Sequence, residues 1–116
     1  MAGPSTAAKN AMLDGLAAVA VYASLHTADP GTTGASEATG GSPAYSRESI
    51  TWNAASTTLT SSNDPVFDVA AGTYTHYGLW SASSGGTYYT GGALSASETF
   101  VGQGQYTLTL VTLTQS

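Results

Sequence analysis

The spacing of hydrophobic residues changes once along the chain, near residue 20. Up to that point, apolar residues recur at intervals of three or four: Ala8, Met12, Leu16 and Val19, with Leu13 beside them. This spacing predicts an α-helix over residues 5–19, capped by Ser5 or Thr6. Gly15 weakens such a helix by about 1 kcal/mol relative to alanine, so we expect it to need packing or a partner.

The segment after the helix alternates with a period of two. One predicted face carries Val21, Ala23 and Leu25, and the other carries Tyr22, Ser24 and His26. Asp29-Pro30-Gly31 then supplies a turn, because proline fixes its φ and glycine tolerates a left-handed conformation. Residues 31–44 show no periodicity and predict a long exposed loop, a feature that is often functional.

From Tyr45 onward the pattern is that of short strands separated by Gly, Ser, Asn and Pro turns. The predicted strands are Ser46–Trp52, Thr57–Ser61, Val66–Val69, Thr73–Trp80, Thr87–Thr90, Glu98–Val101 and Gln105–Leu113. Such spacing is typical of a β-sandwich. We therefore predict a mainly β fold over residues 1–116: a single antiparallel, jelly-roll-like β-sandwich (20–116) with an N-terminal helix.

Aromatic residues cluster in the second half of the chain. Alternation places Tyr74, His76 and Trp80 on one face of a strand and Tyr77 and Leu79 on the other. Tyr88 and Tyr89 lie across the next predicted hairpin, and one of the two must point outward. The pattern fits sheet core, and it also fits an exposed aromatic platform that contacts a sugar or a neighbouring subunit.

Composition narrows the classes of partner. Lys9 and Arg47 are the two basic residues against seven acidic ones, for a net charge of −5. So few cations disfavour nucleic acid and an anionic membrane surface as partners. Charged residues make up 8% of the chain, where about 25% is usual. An uncharged surface of this kind suits close packing in an assembly.

Candidate chemistry is sparse. There is no cysteine, and neither His26 nor His76 belongs to a spaced metal motif, so both are interpreted as structural, with a ligand role as the alternative. Asn63, Asp64 and Asp68 are close in sequence but lack the calcium-loop pattern. No nucleophile elbow is present. We predict no catalytic, cofactor or metal site and no enzymatic activity.

Three segments nonetheless resemble a known family. "SLHTADPGTTG" (24–34), "GGSPAYSR" (40–47) and "HYGLWSASSGG" (76–86) occur in the order and spacing of small virion structural proteins of tailed bacteriophages, notably those of actinobacteria. The resemblance covers roughly residues 7 to 110. His26 and Arg47 match its motifs by position, and packing or local hydrogen bonding is their expected role.

The resemblance implies a non-enzymatic virion protein on the exterior of the particle. Minor tail or tail fibre-like proteins with a role in host adhesion are the first hypothesis, capsid decoration is the alternative, and a carbohydrate-binding module is a remote one. The expected partners are other virion proteins (tail or major capsid protein), further copies of the chain with a trimer favoured, and a host surface glycan. Candidate contact residues are Trp80, Tyr88, Tyr89, Thr32, Thr33 and Glu37.

Overall fold

The computed structural model describes residues 5–109 and 111–114. One N-terminal helix is followed by strands that pair in antiparallel fashion, so the predicted mainly β fold class is confirmed. In chain order the elements are α1 (Thr6–Val19), β1 (Tyr22–His26), β2 (Glu48–Ser49), β3 (Thr58–Thr60), β4 (Val66–Val69), β5 (Gly72–Trp80), β6 (Tyr88–Phe100), β7 (Gly104–Thr107) and β8 (Thr112–Thr114).

Helix α1 begins at the predicted cap. The Ser5 hydroxyl accepts a hydrogen bond from the Ala8 amide at 3.1 Å, which satisfies one of the free donors of the first turn. The helix buries only Leu13, and Leu16 packs against the core from its edge. Two other residues of the predicted apolar stripe face solvent, because Met12 is 49% exposed and Val19 is 40% exposed. None of the described helices is long and apolar enough to cross a membrane.

The strands form one larger sheet and two ribbons. The larger sheet has four strands in the order β2-β1-β5-β6, while β3 pairs with β8 and β4 pairs with β7. Ala23 and Leu25 of β1 share one buried cluster with Phe67 and Val69 of β4, so the β4–β7 ribbon covers one face of the sheet. The β1–β2 loop, which we define as residues 27–47, covers the opposite face with Gly34 and Ala35 and adds Ala38 and Tyr45 to the core side.

The polar face of β1 is therefore buried too. The sequence assigns Ser24 and His26 to a face opposite Ala23 and Leu25, and the alternation itself holds. The β1–β2 loop packs over this second face and removes both polar residues from solvent. Within the loop, residues 31–44 hold no helix or strand, apart from a single bridge between Glu37 and His26.

Four of the predicted strands differ substantially from the structure. One strand, β6 (Tyr88–Phe100), contains most of the two predicted strands Thr87–Thr90 and Glu98–Val101. Its register against β5 shifts between Tyr74 and His76 and again between Leu79 and Trp80. The predicted strand Gln105–Leu113 is divided, because β7 pairs with β4 and β8 pairs with β3; Leu110 lies outside the described residues. The predicted strand Ser46–Trp52 is reduced to β2, because Trp52 leaves β1 and bridges to Ser61.

The register shift in β5 also changes which face carries Tyr74. Alternation placed Tyr74 with His76 and Trp80, and this was wrong. Tyr74 lies in the core cluster with Tyr77 and Leu79. The physical reason is the irregularity between Tyr74 and His76, since an interruption of the ladder inverts the two-residue period beyond it.

Candidate functional site

The residues of the three sequence motifs come together around one tryptophan. Trp80 ends β5, and its indole N–H donates to the Ser24 hydroxyl at 2.8 Å. The Arg47 guanidinium lies over the indole face, with 3.6 Å between its carbon and the ring centroid. The Tyr88 ring packs edge-on at 5.1 Å. We call this group, together with His26, Glu37 and Tyr45, the motif cluster.

Two glycines make this close packing possible. Gly34 has a φ of +77°, and a Cβ there would come within 2.6 Å of the Trp80 ring. A Cβ at Gly78 would lie 2.6 Å from the Ser24 hydroxyl and 2.7 Å from His26 Nε2. All three distances are shorter than real Cβ contacts allow, so glycine is required for the loop to approach Trp80 and for β5 to approach the side chains of β1 this closely.

Ser24 and His26 form a buried hydrogen-bond chain. His26 Nδ1 lies 2.7 Å from the Ala35 carbonyl oxygen, which can only accept, so Nδ1 carries the proton. In the neutral ring Nε2 is then an acceptor, and the Ser24 hydroxyl donates to it at 2.7 Å. The chain therefore runs from Trp80 to Ser24, to His26 and on to the loop. Burial lowers the pKa of His26, because it penalises the charged imidazolium.

Arg47 and Glu37 form an ion pair that closes the loop. The Arg47 Nε and Nη2 groups each donate at 2.9 Å to one of the two Glu37 carboxylate oxygens. The remaining amine, Nη1, donates to the carbonyls of Ala82 at 3.0 Å and Gly85 at 2.8 Å. Only 8% of the Arg47 side chain is exposed. The paired geometry fixes the loop to the β5–β6 turn, residues 81–87.

Tyr45 connects the same carboxylate to β1. Its hydroxyl donates to Glu37 at 3.0 Å and accepts from the Leu25 amide at 3.0 Å. Its ring stacks on Phe67 with centroids 6.2 Å apart. Burial raises the pKa of Tyr45, which stays a neutral donor. The Ala38 amide in turn donates to the Leu25 carbonyl, so the loop satisfies the backbone of β1 beyond the end of β2.

This arrangement supports the fold and offers no accessible nucleophile. The 2.7 Å Ser24–His26 contact has the spacing of a nucleophile and its base. Both residues are 0% exposed, however, and the Ser24 hydroxyl already accepts from Trp80. Among the described residues no group of three or more His, Cys, Asp or Glu side chains could hold a metal ion.

A shallow cleft lies at the surface of the motif cluster. It has a volume of about 390 Å³ and is lined by residues 37–40, 45–47 and 83–85. Its charged groups, Arg47 and Glu37, are paired with each other, and the hydroxyls of Thr39, Ser83 and Ser84 stand exposed around it. This loop cleft is therefore a neutral, hydroxyl-rich surface.

Comparison with known protein families assigns the chain to one of them. The model of the Gp80 family, described as podophage GP4 fiber I protein gp80, matches residues 3–116. The chain belongs to this family. It is thus a phage fibre protein and a structural part of the virion. A search of curated proteins gave no match.

Membership of the gp80 fibre family refines the expectation drawn from the motifs. The resemblance to structural proteins of tailed phages is confirmed at the level of a phage fibre protein. The narrower assignment to minor tail proteins of actinobacteriophages is not supported, because the matching family is described as a podophage fibre protein.

The predicted contact residues fall in different surroundings in this gp80 family member. Trp80 is 9% exposed and its face is covered by Arg47, whereas Tyr89 is 39% exposed and Tyr88 is half-buried. Thr32 and Thr33 are exposed at the tip of the loop. Glu37 is 23% exposed and borders the loop cleft. The motif cluster joins Glu37, Trp80 and Tyr88, while Tyr89 is outside it.

Other polar candidates have local structural partners. His76 lies opposite His26 in the β1–β5 ladder, and its Nδ1 is 2.7 Å from the Thr75 hydroxyl. Asn63 accepts from the Thr51 amide at 2.8 Å and donates to the Ser49 carbonyl at 3.1 Å. Asp68 accepts from Gln105 across the β4–β7 ribbon at 3.3 Å. Asn63 and Asp68 are thus engaged with separate partners.

The sequence did not single out Ser24, Gly34, Tyr45 or Gly78 as members of one site. The spacing of Ser24 and His26 did place them on one face of β1. The residues that meet them, however, come from β5 and from a loop without periodicity. The one feature of the sequence that could have indicated a common site is that these four residues all lie within the three motifs.

Proposed function

We propose that this fibre protein is a non-enzymatic component on the exterior of the virion and that it contacts the host surface through the β1–β2 loop. The supporting observation is the arrangement of the motif cluster: its polar groups bind one another, which holds the outer residues of a long loop in one conformation. A rigid loop loses little conformational entropy on binding. The exposed groups around the loop cleft are hydroxyls, which suit a neutral host glycan.

The host-contact proposal predicts a specific adsorption defect. A Thr39→Trp/Ser84→Trp double variant fills the loop cleft from two exposed positions and leaves the Arg47–Glu37 pair in place. Ser97→Trp, at an exposed position of β6, is the matched control. Phage particles carrying each variant are quantified by mass spectrometry and then tested for adsorption to host cells. We expect normal incorporation for both and loss of adsorption only for the cleft variant. Equal adsorption of both would contradict a contact at the cleft.

The proposal also includes the site of attachment and the partners. We expect the chain to form a homo-oligomer, with a trimer favoured, and to bind other virion proteins of the tail. The exposed apolar residues of α1, Met12 and Val19, support an assembly contact away from the loop. The family description favours a fibre over the alternative of head decoration on the major capsid protein.

Copy number distinguishes the two locations. Quantitative mass spectrometry of purified particles gives the ratio of this chain to the major capsid protein. A small number of copies, in multiples of three or six, agrees with a trimeric fibre on the tail. Hundreds of copies per particle would instead indicate decoration of the head lattice and would overturn the proposed location.

A further inference from the structure

A second pocket lies where β6 meets the chain that runs from β7 into β8. It has a volume of about 240 Å³, and we call it the ribbon pocket. Leu94 of β6, together with Leu108 and Val111, forms its buried apolar floor. The ribbon pocket and the loop cleft have no lining residue in common, so the two are separate features of the surface.

One tyrosine reaches this pocket from the neighbouring strand. Tyr77 of β5 pairs with Gly92 of β6 and is 9% exposed. A Cβ at Gly92 would lie 2.9 Å from the Tyr77 Oη and 3.1 Å from two carbons of its ring. The absence of a side chain at Gly92 therefore lets the Tyr77 ring extend across β6 toward the pocket.

The Tyr77 hydroxyl differs from the other buried tyrosine hydroxyl of its strand. Tyr74 donates to the Ala70 carbonyl at 2.7 Å, whereas the Tyr77 hydroxyl has no hydrogen-bond partner among the described residues. In the same part of the chain every fully buried polar side-chain atom has a partner, so the Tyr77 hydroxyl is open to the pocket. Burial raises the pKa of Tyr77, which stays a neutral group able to donate and to accept.

The remaining lining groups are uncharged. Tyr106 of β7 is half-buried and adds a second aromatic side chain. Ser95, Thr109 and Thr112 are exposed and add hydroxyls at the mouth. None of the described residues that line the pocket carries a charge. An apolar and aromatic lining with a few hydroxyls that fix orientation is typical of sites for small neutral ligands.

We propose that the ribbon pocket binds one pyranose ring of a neutral saccharide. Sites for drug-sized ligands have volumes of about 300–1,000 Å³, so a smaller pocket admits a single ring. The apolar C–H face of that ring packs on the floor and on Tyr106. On its buried side, one sugar hydroxyl pairs with the Tyr77 hydroxyl, which gains a hydrogen bond that the protein does not supply. The hydroxyls at the mouth bind the outer edge of the sugar.

Amide NMR of the full chain tests the proposal. The probes are the methyl glycosides of glucose, galactose and mannose, with glycerol as a polyol that lacks a ring face and cyclohexanol as a ring that lacks the set of hydroxyls. We expect saturable shifts of the Ala93, Leu94 and Thr109 amides with at least one glycoside. The usual efficiency of small ligands gives a dissociation constant on the order of 1 mM.

A pair of tyrosine variants tests the buried contact. Tyr77→Phe removes a hydroxyl that bonds to no described residue, so we expect it to fold like the wild type and to bind the glycoside about three- to tenfold more weakly. Tyr74→Phe removes the same group from the same strand, outside the pocket. It should bind the glycoside like the wild type.

A second pair of variants tests the location. Ser95→Trp blocks the mouth of the pocket and should abolish the shifts, while Ser97→Trp, two positions along β6 and outside the lining, should keep them. The Thr39→Trp/Ser84→Trp variant of the loop cleft should also keep them. Glycoside binding at the ribbon pocket is thus measured separately from host contact at the cleft, and either can fail without the other.

Several outcomes would overturn the proposal. One is the absence of saturable shifts with all the glycosides, and another is equal shifts with glycerol. Tighter binding of cyclohexanol would replace the saccharide by an apolar ring. Shifts of the same amides that depend on protein concentration without any glycoside would show that a second copy of the chain occupies the pocket. Unchanged binding in folded Tyr77→Phe or Ser95→Trp would place the sugar elsewhere.

Discussion

The β1–β2 loop and the N-terminal helix differ in how they are attached to the same body of sheets. The loop has no periodic pattern, yet its side chains and backbone make direct bonds to β1, to the β5–β6 turn and to one another. The helix has a clear pattern, yet it buries only Leu13 and contacts mainly β3. A segment with regular secondary structure is thus not necessarily the one most firmly attached to the rest of the fold. In this protein the irregular β1–β2 loop makes more tertiary bonds than the helix does.

The largest expected effect comes from breaking the ion pair in the loop. Arg47→Met removes the charged partner of Glu37, which keeps only the Tyr45 hydroxyl, and the donor to two carbonyl groups. We expect the free energy of unfolding to fall by about 3–5 kcal/mol, because the partly buried carboxylate loses its counter-charge. Urea denaturation measures the change. Lys9→Met in the helix is the matched control and should stay within about 0.5 kcal/mol. Similar losses in both variants would contradict the difference between the two regions.

A pair of glycine variants isolates packing on Trp80. Gly34→Ala and Gly40→Ala both place a side chain at positive φ, +77° and +83°, but only the first meets the Trp80 ring. We expect Gly34→Ala to be less stable than Gly40→Ala by about 1–3 kcal/mol, the usual cost of overpacking. The comparison uses urea midpoints. Equal midpoints would mean that the Trp80 side chain moves aside without loss of stability.

The pH dependence of stability should arise at the loop, through His26, and not at the helix. Because burial lowers the pKa of His26 below that of the unfolded chain, the unfolded state binds more protons at mildly acid pH. Through His26, the free energy of unfolding should be constant between about pH 6.5 and pH 8 and decrease as the pH falls below about 6.5. Urea denaturation of wild type, His76→Gln and Lys9→Met at several pH values checks this. A decrease of stability toward alkaline pH in this range would contradict the sign.

The smallest expected effect has the opposite sign and lies in the helix. A Cβ at Gly15 meets nothing within 4 Å. Gly15→Ala should therefore raise the free energy of unfolding by about 0.5–1 kcal/mol through helix propensity alone. Ala11→Gly, also exposed on α1, is the reverse control and should lower it by a similar amount. A destabilising Gly15→Ala would show that α1 is packed more tightly than the structure indicates.

The sequence predicted the parts of the fold that depend on local periodicity. The helix, β1, β4 and β5 follow directly from apolar spacing, and the cap at Ser5 follows from its side chain. The division of the last predicted strand did not follow, because it depends on two different pairing partners, β4 and β3. The inverted face of Tyr74 depends on an irregularity in the β5–β6 ladder that leaves no mark in the composition.

The motif cluster was predictable as a set of residues but not as a site. Tyr45 and Glu37 are eight positions apart in a loop, and nothing in their spacing shows that one hydroxyl joins Leu25 to the carboxylate. Trp80 was assigned either to the core or to an exposed platform. It is buried, but beneath a cation rather than among aliphatic side chains. Contacts between segments that are distant in sequence decide which of these side chains meet and whether Trp80 is buried.

The positions of the two tryptophans have a practical consequence. The Trp52 indole N–H donates to the Ala20 carbonyl at 2.8 Å, where the helix joins β1. Trp80 lies beneath Arg47 in the motif cluster. The chain thus contains one tryptophan at the base of the helix and one beneath the β1–β2 loop. With Trp52→Phe the remaining emission reports on the loop, and its wavelength follows the hydration of Trp80 in real time.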